Sequence, residues 1–88
     1  MKAIQIVRRG QAEVQEVAAP RLREGYVLVR TRAVALNPTD WKHVHNHNRG
    51  LVSCRVGCDY VGTVEEVGPG VAKEFRRGDR VAGWVHGA

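Results

Sequence analysis

The sequence is short of the features that mark a disulfide-stapled, secreted or membrane-spanning chain. Its 88 residues include only two cysteines, Cys54 and Cys58. Two thiols cannot build a disulfide framework, and their spacing permits a pair without requiring one. No apolar run approaches the roughly 20 residues that cross a bilayer. The opening Met1–Arg8 is too short and too polar for a signal peptide. These absences lead us to expect a soluble protein of a reducing, cytoplasmic compartment, with no membrane partner.

Aromatic residues make up 6% of the chain and there are three prolines. No long helical pattern, internal repeat or linker is present. The charge balance is basic, 14 Lys and Arg against 9 Asp and Glu, net +5. The arginines are scattered among acidic residues, and no basic cluster alternates with aromatics as a single-strand binder requires. Nucleic acid is therefore not the expected partner. At this length one small domain is possible and no more.

What is present is β pattern. Lys2–Val7 alternates, Arg9–Gln11 reads as a turn, and Ala12–Val17 alternates again, which together predict a hairpin. Ala18–Gly25 is a connector. Tyr26–Leu36 alternates over eleven positions, with Val27, Val29, Thr31, Ala33 and Ala35 expected on one face. Asn37-Pro38 ends that strand, and Pro38 suits the first turn of a short helix running through Asp40–Val44. Asn46–Ser53 reads as a polar surface loop. Tyr60–Val67 reads as a strand whose broken alternation predicts a bulge near Gly62 or Glu65. Gly68–Gly70 and Phe75–Asp79 read as turns, and Arg80–Val85 as the last strand.

Two segments carry candidate chemistry. Asn37-Pro38-Thr39-Asp40-Trp41-Lys42 places polar and ionisable groups on a strand-to-helix corner, where the helix start attracts anions. Lys42 is suited to a phosphate or a carbonyl oxygen, and Asp40 to holding Lys42 or capping the helix. A purely structural reading of the same residues is that Asp40 caps, Lys42 is solvated and Trp41 fills core. The second segment runs from Gly57 to Gly70. Its glycines flank a strand instead of lying within six residues of each other before a helix, so it reads as turns and not as a dinucleotide fingerprint. His43, His45 and His47, with Cys54 and Cys58 nearby, leave a metal site as an alternative to a polar surface.

The opening Lys2-Ala3-Ile4, the run Val27-Leu28-Val29-Arg30 into Ala33-Val34-Ala35-Leu36-Asn37-Pro38-x-Asp40, the Gly57–Gly70 segment and Phe75-x-x-Gly78-Asp79-Arg80-Val81 stand in one register. Together they resemble the N-terminal GroES-like domain of the medium-chain dehydrogenase/reductase superfamily. The resemblance implies a mainly β fold, a small, partly open barrel with one short helix. The zinc-dependent branch carries a cysteine where this chain has Asn37 and Gly-His-Glu where it has Gly57-Cys58-Asp59, so the resemblance points to the zinc-free quinone and enoyl reductases. The Asn37–His43 wording is most similar to fungal trans-acting enoyl reductases of polyketide pathways.

That likeness implies hydride transfer from NADPH, without zinc, to an activated C=C of an α,β-unsaturated carbonyl or acyl substrate. A polyketide synthase is the implied protein partner. It implies that Asp40, Trp41, Lys42 and His43 contact the cofactor. Asn37 and Lys42 would lie at the reacting end, and Tyr60 would line the substrate side. It also implies a Rossmann domain that these 88 residues do not contain, so the chain alone is expected to be an inactive fragment. The alternative is an autonomous GroES-like β interaction module without catalytic activity.

Overall fold

The computed structural model describes residues 1–45 and 55–85. Among these residues five strands and one helix follow in the order β1 (Lys2–Arg8), β2 (Gln11–Glu16), β3 (Val27–Val34), α1 (Pro38–His45), β4 (Asp59–Val67) and β5 (Arg80–Trp84). They form two antiparallel sheets, β1-β2 and β3-β4-β5. The strands are those the alternation predicts, and the mainly β, unclosed architecture is the one the resemblance implies.

The hairpin pairs Ile4 with Val14 and Ile6 with Ala12. Directly opposed residues share a face, so four apolar side chains line one side of the ribbon. Ile6 is 2% exposed, whereas Ile4 and Val14 at the far end remain open. Backbone hydrogen bonds and a Gln5–Arg55 bridge tie the hairpin to the remainder. The Gly10 amide donates to the Val44 carbonyl at 2.7 Å, and the Val56 amide to the Ile4 carbonyl at 3.0 Å.

In the second sheet, the β3–β4 register shifts twice, between Leu28 and Val29 and between Thr31 and Ala33. The extra residues are Glu65 on β4, one of the two places expected for a bulge in that strand, and Arg32 on β3, where none is expected from the sequence. The second bulge corrects the expected eleven-residue alternation of β3. One extra residue moves every later side chain to the other face, and Ala33 therefore lies opposite Val61, not on the Thr31 face. The strand also ends at Val34. Ala35 and Leu36 have no β4 partner beyond the Val34–Tyr60 pair, and Leu36 is 90% exposed.

The β3–β4 approach is close at Gly62, where any side chain would collide with the Arg30 backbone carbonyl. Beside it, Val64 is 2% exposed and, with Cys58 and Ile6, makes up the buried apolar core among the described residues. Val64 is also held by its backbone: its amide donates to Asp79 and its carbonyl accepts from Gly78, both at 2.8 Å. Asp79 Oδ2 accepts the Arg76 amide at 2.8 Å and closes that turn.

Candidate functional site at the strand-to-helix corner

The end of β3, the start of α1 and the start of β4 meet around Asn37. Pro38 occupies the first helical position, where a missing N–H costs nothing. Asp40, three residues after Asn37, folds back so that its Oδ2 accepts the Asn37 amide at 2.9 Å. The Asp40 amide in turn donates to the Asn37 carbonyl at 3.0 Å. The carboxylate contact is the half of a capping box in which the third-position side chain reaches back to the N-cap amide, while the Asp40 amide bonds the backbone carbonyl of Asn37. It fixes where the helix begins and which way Asn37 faces.

The Asn37 side-chain amide donates to Asp59 Oδ2, at the first residue of β4. Asn37 thus joins the helix start to the strand carrying Asp59. The remaining oxygen of Asp40, Oδ1, is buried and has no hydrogen-bond partner. A buried acceptor left empty is costly, so the corner holds an acceptor available to a donor.

The structure brings Asn37, Asp40 and Asp59 together, and Asp59 was not among the residues singled out from sequence. The available signal was its position, where the zinc-dependent branch has the glutamate of Gly-His-Glu. Lys42 is not held by Asp40, whose carboxylate turns to the backbone. The Lys42 ammonium lies 5.7 Å from the Trp41 ring centroid, within cation–π range. Trp41 is 59% exposed, so it does not fill core, and its ring meets His45 edge-on at 6.3 Å. His43 is half-buried on the same helix. His43 and His45 sit two residues apart on a helix and so diverge by about 200°. His47, Cys54 and the Asn46–Ser53 segment lie outside the described residues. Among the described residues no group of three His, Cys, Asp or Glu is arranged to hold a metal ion.

Tyr60 lies on the face opposite its neighbour Asp59. It pairs with Val34 and Gly83, whereas Asp59 pairs with Trp84. Its hydroxyl lies over Gly83, where any side chain would strike the ring. The corner is rimmed by exposed apolar groups, Val34, Leu36, Trp84 and Val85.

Across the outward face of the second sheet, Arg30 holds Glu65 in a two-pronged ion pair, both contacts at 3.0 Å. The hydrogen bond to Arg30, helped by the charges of Arg30, Arg77 and Arg32, holds the Glu65 carboxyl below the usual carboxylate range. The same contact raises the Arg30 guanidinium above its ordinary value.

The unclosed sheets, the single short helix and the capped corner define a GroES-like β fold of the alcohol dehydrogenase type. The chain belongs to the alcohol dehydrogenase GroES-like domain family, which matches residues 23–87. It is 54% identical over 89 residues to the trans-enoyl reductase resD of Aspergillus sclerotiorum, covering 99% of this chain and 24% of that protein. It is 55% identical over 74 residues to the trans-enoyl reductase TOXD of Cochliobolus carbonum, covering 84% of this chain and again 24% of the relative. Among solved structures, a zinc-dependent alcohol dehydrogenase from Streptococcus pneumonia superposes with a TM-score of 0.84 at 31% identity, over 93% of this chain and 24% of that one. The chain therefore spans about a quarter of the length of the proteins it matches. No described helix is long and apolar enough to cross a membrane.

Proposed function

We propose that the chain is the catalytic-side domain of an NADPH-dependent, zinc-independent enoyl or quinone reductase that delivers hydride to an activated C=C. The observation that carries this reading is the Asn37 corner. A catalytic zinc takes thiolate, imidazole or carboxylate ligands in a near-tetrahedral set. Here the position of the zinc-branch cysteine is an amide, and that amide is spent on Asp59. This donor set does not fit zinc, and the reaction needs no step through it.

The same corner suits a nicotinamide cofactor. The buried, unpartnered Asp40 Oδ1 is an acceptor for an amide or hydroxyl donor. Exposed Trp41 offers an aromatic face, with the Lys42 charge beside it. His43 would complete the contact from the next turn position. The chemistry NADPH supplies when bound is the hydride. Lys42 then binds a cofactor phosphate or the substrate carbonyl oxygen, where a positive charge stabilises the developing enolate. Asn37, held by Asp40 and Asp59, presents a fixed polar edge at the reacting end, and Tyr60 lines the substrate side.

The relatives' names, trans-enoyl reductases, support an α,β-unsaturated acyl substrate, and the likeness of the Asn37–His43 wording to polyketide-pathway reductases supports a polyketide synthase as partner. The exposed rim of Val34, Leu36, Trp84 and Val85 supports a Rossmann domain as the covering element in the longer protein, and residues 1–88 as one domain of that protein. The test is a chimera in which this chain replaces the matched segment of the Aspergillus sclerotiorum relative. It should consume NADPH in the presence of an enoyl thioester. A folded chimera that consumes none, beside an active parent, overturns the reading.

A further inference from the structure

We propose that the outward face of the β3-β4-β5 sheet is a docking surface for an acidic protein partner, gripped by Arg30, Arg32, Arg77 and Arg80. The proposal deepens the reductase reading and rests on it in one respect: an enzyme acting on an acyl group held by another protein must receive that protein on a definite surface.

Arg30 and Arg80 both lie opposite Thr63, one on each side of it. Directly opposed residues of antiparallel neighbours project to the same face. Strands lie about 4.8 Å apart, so the two arginines are rooted roughly 10 Å from each other with a small hydroxyl side chain between them. Arg32 is the extra residue of the β3 bulge beside that row. Arg77 belongs to the turn whose Gly78 amide donates to the Val64 carbonyl at 2.8 Å, next to Glu65. All four arginines are exposed. One carboxylate, Glu65, sits among them, and Arg30 occupies both its oxygens. The nearby Asp79 turns to the Arg76 amide instead. Glu65 and Asp79 offset two of the four charges, so two positive charges remain in excess, at separations where repulsion is only partly screened.

The chemistry of this face selects its partner. It is a rigid sheet, and its arginine end carries no aromatic on which a base could stack, which disfavours single-stranded nucleic acid. Several guanidiniums rooted at intervals on a fixed surface match several carboxylates on a folded protein, the arrangement that gives fast, selective association. The face also leads to the candidate site. From the arginine end it runs along Val61, Ala33 and Ala82 to Asp59 and Trp84. At about 3.3 Å per residue, β4 from Glu65 to Asp59 spans roughly 20 Å. A partner docked at the arginines would hold a flexibly tethered acyl group within that reach of the Asn37 corner.

The test uses the full 88-residue chain, isotopically labelled, titrated with an acidic acyl carrier domain lacking its prosthetic arm. Amide shifts should concentrate on the outward face of β3, β4 and β5 and fade with salt. Arg32→Gln with Arg77→Gln should weaken binding about tenfold, and lysine at both positions should restore most of it. Glu65→Gln, which removes the carboxylate that offsets the arginines of this face, should tighten binding. Arg8→Gln with Arg9→Gln on the hairpin should change it less than about twofold. No binding, shifts centred on the hairpin, equal losses in both double variants, or tighter binding of a single-stranded oligonucleotide through the same arginines would overturn the proposal. None of these readouts involves hydride transfer, so their failure leaves the reductase reading standing, and an inactive chimera leaves the docking result standing.

Discussion

The side-chain amide of Asn37 donates to the carboxylate of Asp59, twenty-two residues further along the chain. That bond joins the start of α1 to the start of β4 and sets the shape of the candidate site. Asn37→Asp places two carboxylates in contact and removes the donor. The expected loss is about 1–3 kcal/mol of folding stability, read from the midpoint of a denaturant titration. An unchanged midpoint would mean the bond contributes nothing.

The Asp40 cap gives a second expectation. Asp40→Ala strips the Asn37 amide of its acceptor and should cost about 1 kcal/mol, seen as a lower thermal midpoint and weaker helical circular dichroism. Asp40→Asn keeps an acceptor oxygen and should retain most of the stability. Equal damage from both substitutions would point to the charge instead of the cap.

Ile6 tests how thin the core is. With Ile6, Cys58 and Val64 as the buried apolar side chains among the described residues, little else absorbs a cavity. Ile6→Ala should cost about 2–5 kcal/mol, a large share of the stability of a domain this small. A loss below about 1 kcal/mol, measured by urea unfolding, would mean that Ile6 is not packed as described.

Glu65 carries the pH prediction. Its folded pKa is lowered, chiefly by the Arg30 hydrogen bond. A group whose folded pKa lies below its unfolded value stabilises the fold above the unfolded pKa, and that contribution is lost as pH falls through the folded pKa. Carboxyl NMR titration should show Glu65 titrating at lower pH than a free glutamate. Arg30→Gln should return it upward, and failure of that return would remove Arg30 as the cause.

Much of the fold was legible because it is local. The hairpin and β5 announce themselves by alternation, and the Glu65 bulge by the broken alternation of β4, whereas the Arg32 bulge falls in a strand whose sequence alternates throughout. Asp40 as a cap is one of the two roles that its place at the strand-to-helix corner offers. What could not be read depends on contacts distant in sequence. The end of β3 at Val34 is set by where β4 begins. The extension of α1 to His45 coincides with the Gly10 amide donating to the Val44 carbonyl. The Asn37–Asp59 bond links two segments that no periodicity relates. The expected Asp40–Lys42 contact failed for a physical reason: the carboxylate is nearer an unpaired backbone amide than a flexible ammonium, and Lys42 settles beside Trp41.

The central claim is that this domain serves hydride transfer to an enoyl group without zinc. The most direct measurement is single-turnover transfer of deuterium from NADPH labelled on the reactive nicotinamide carbon to an enoyl thioester, using the chimera after exhaustive chelation. The account predicts deuterium at the β-carbon of the saturated product, in a yield that chelation does not lower. An unlabelled or unreduced thioester, or a reaction lost on chelation and restored by zinc, would contradict it.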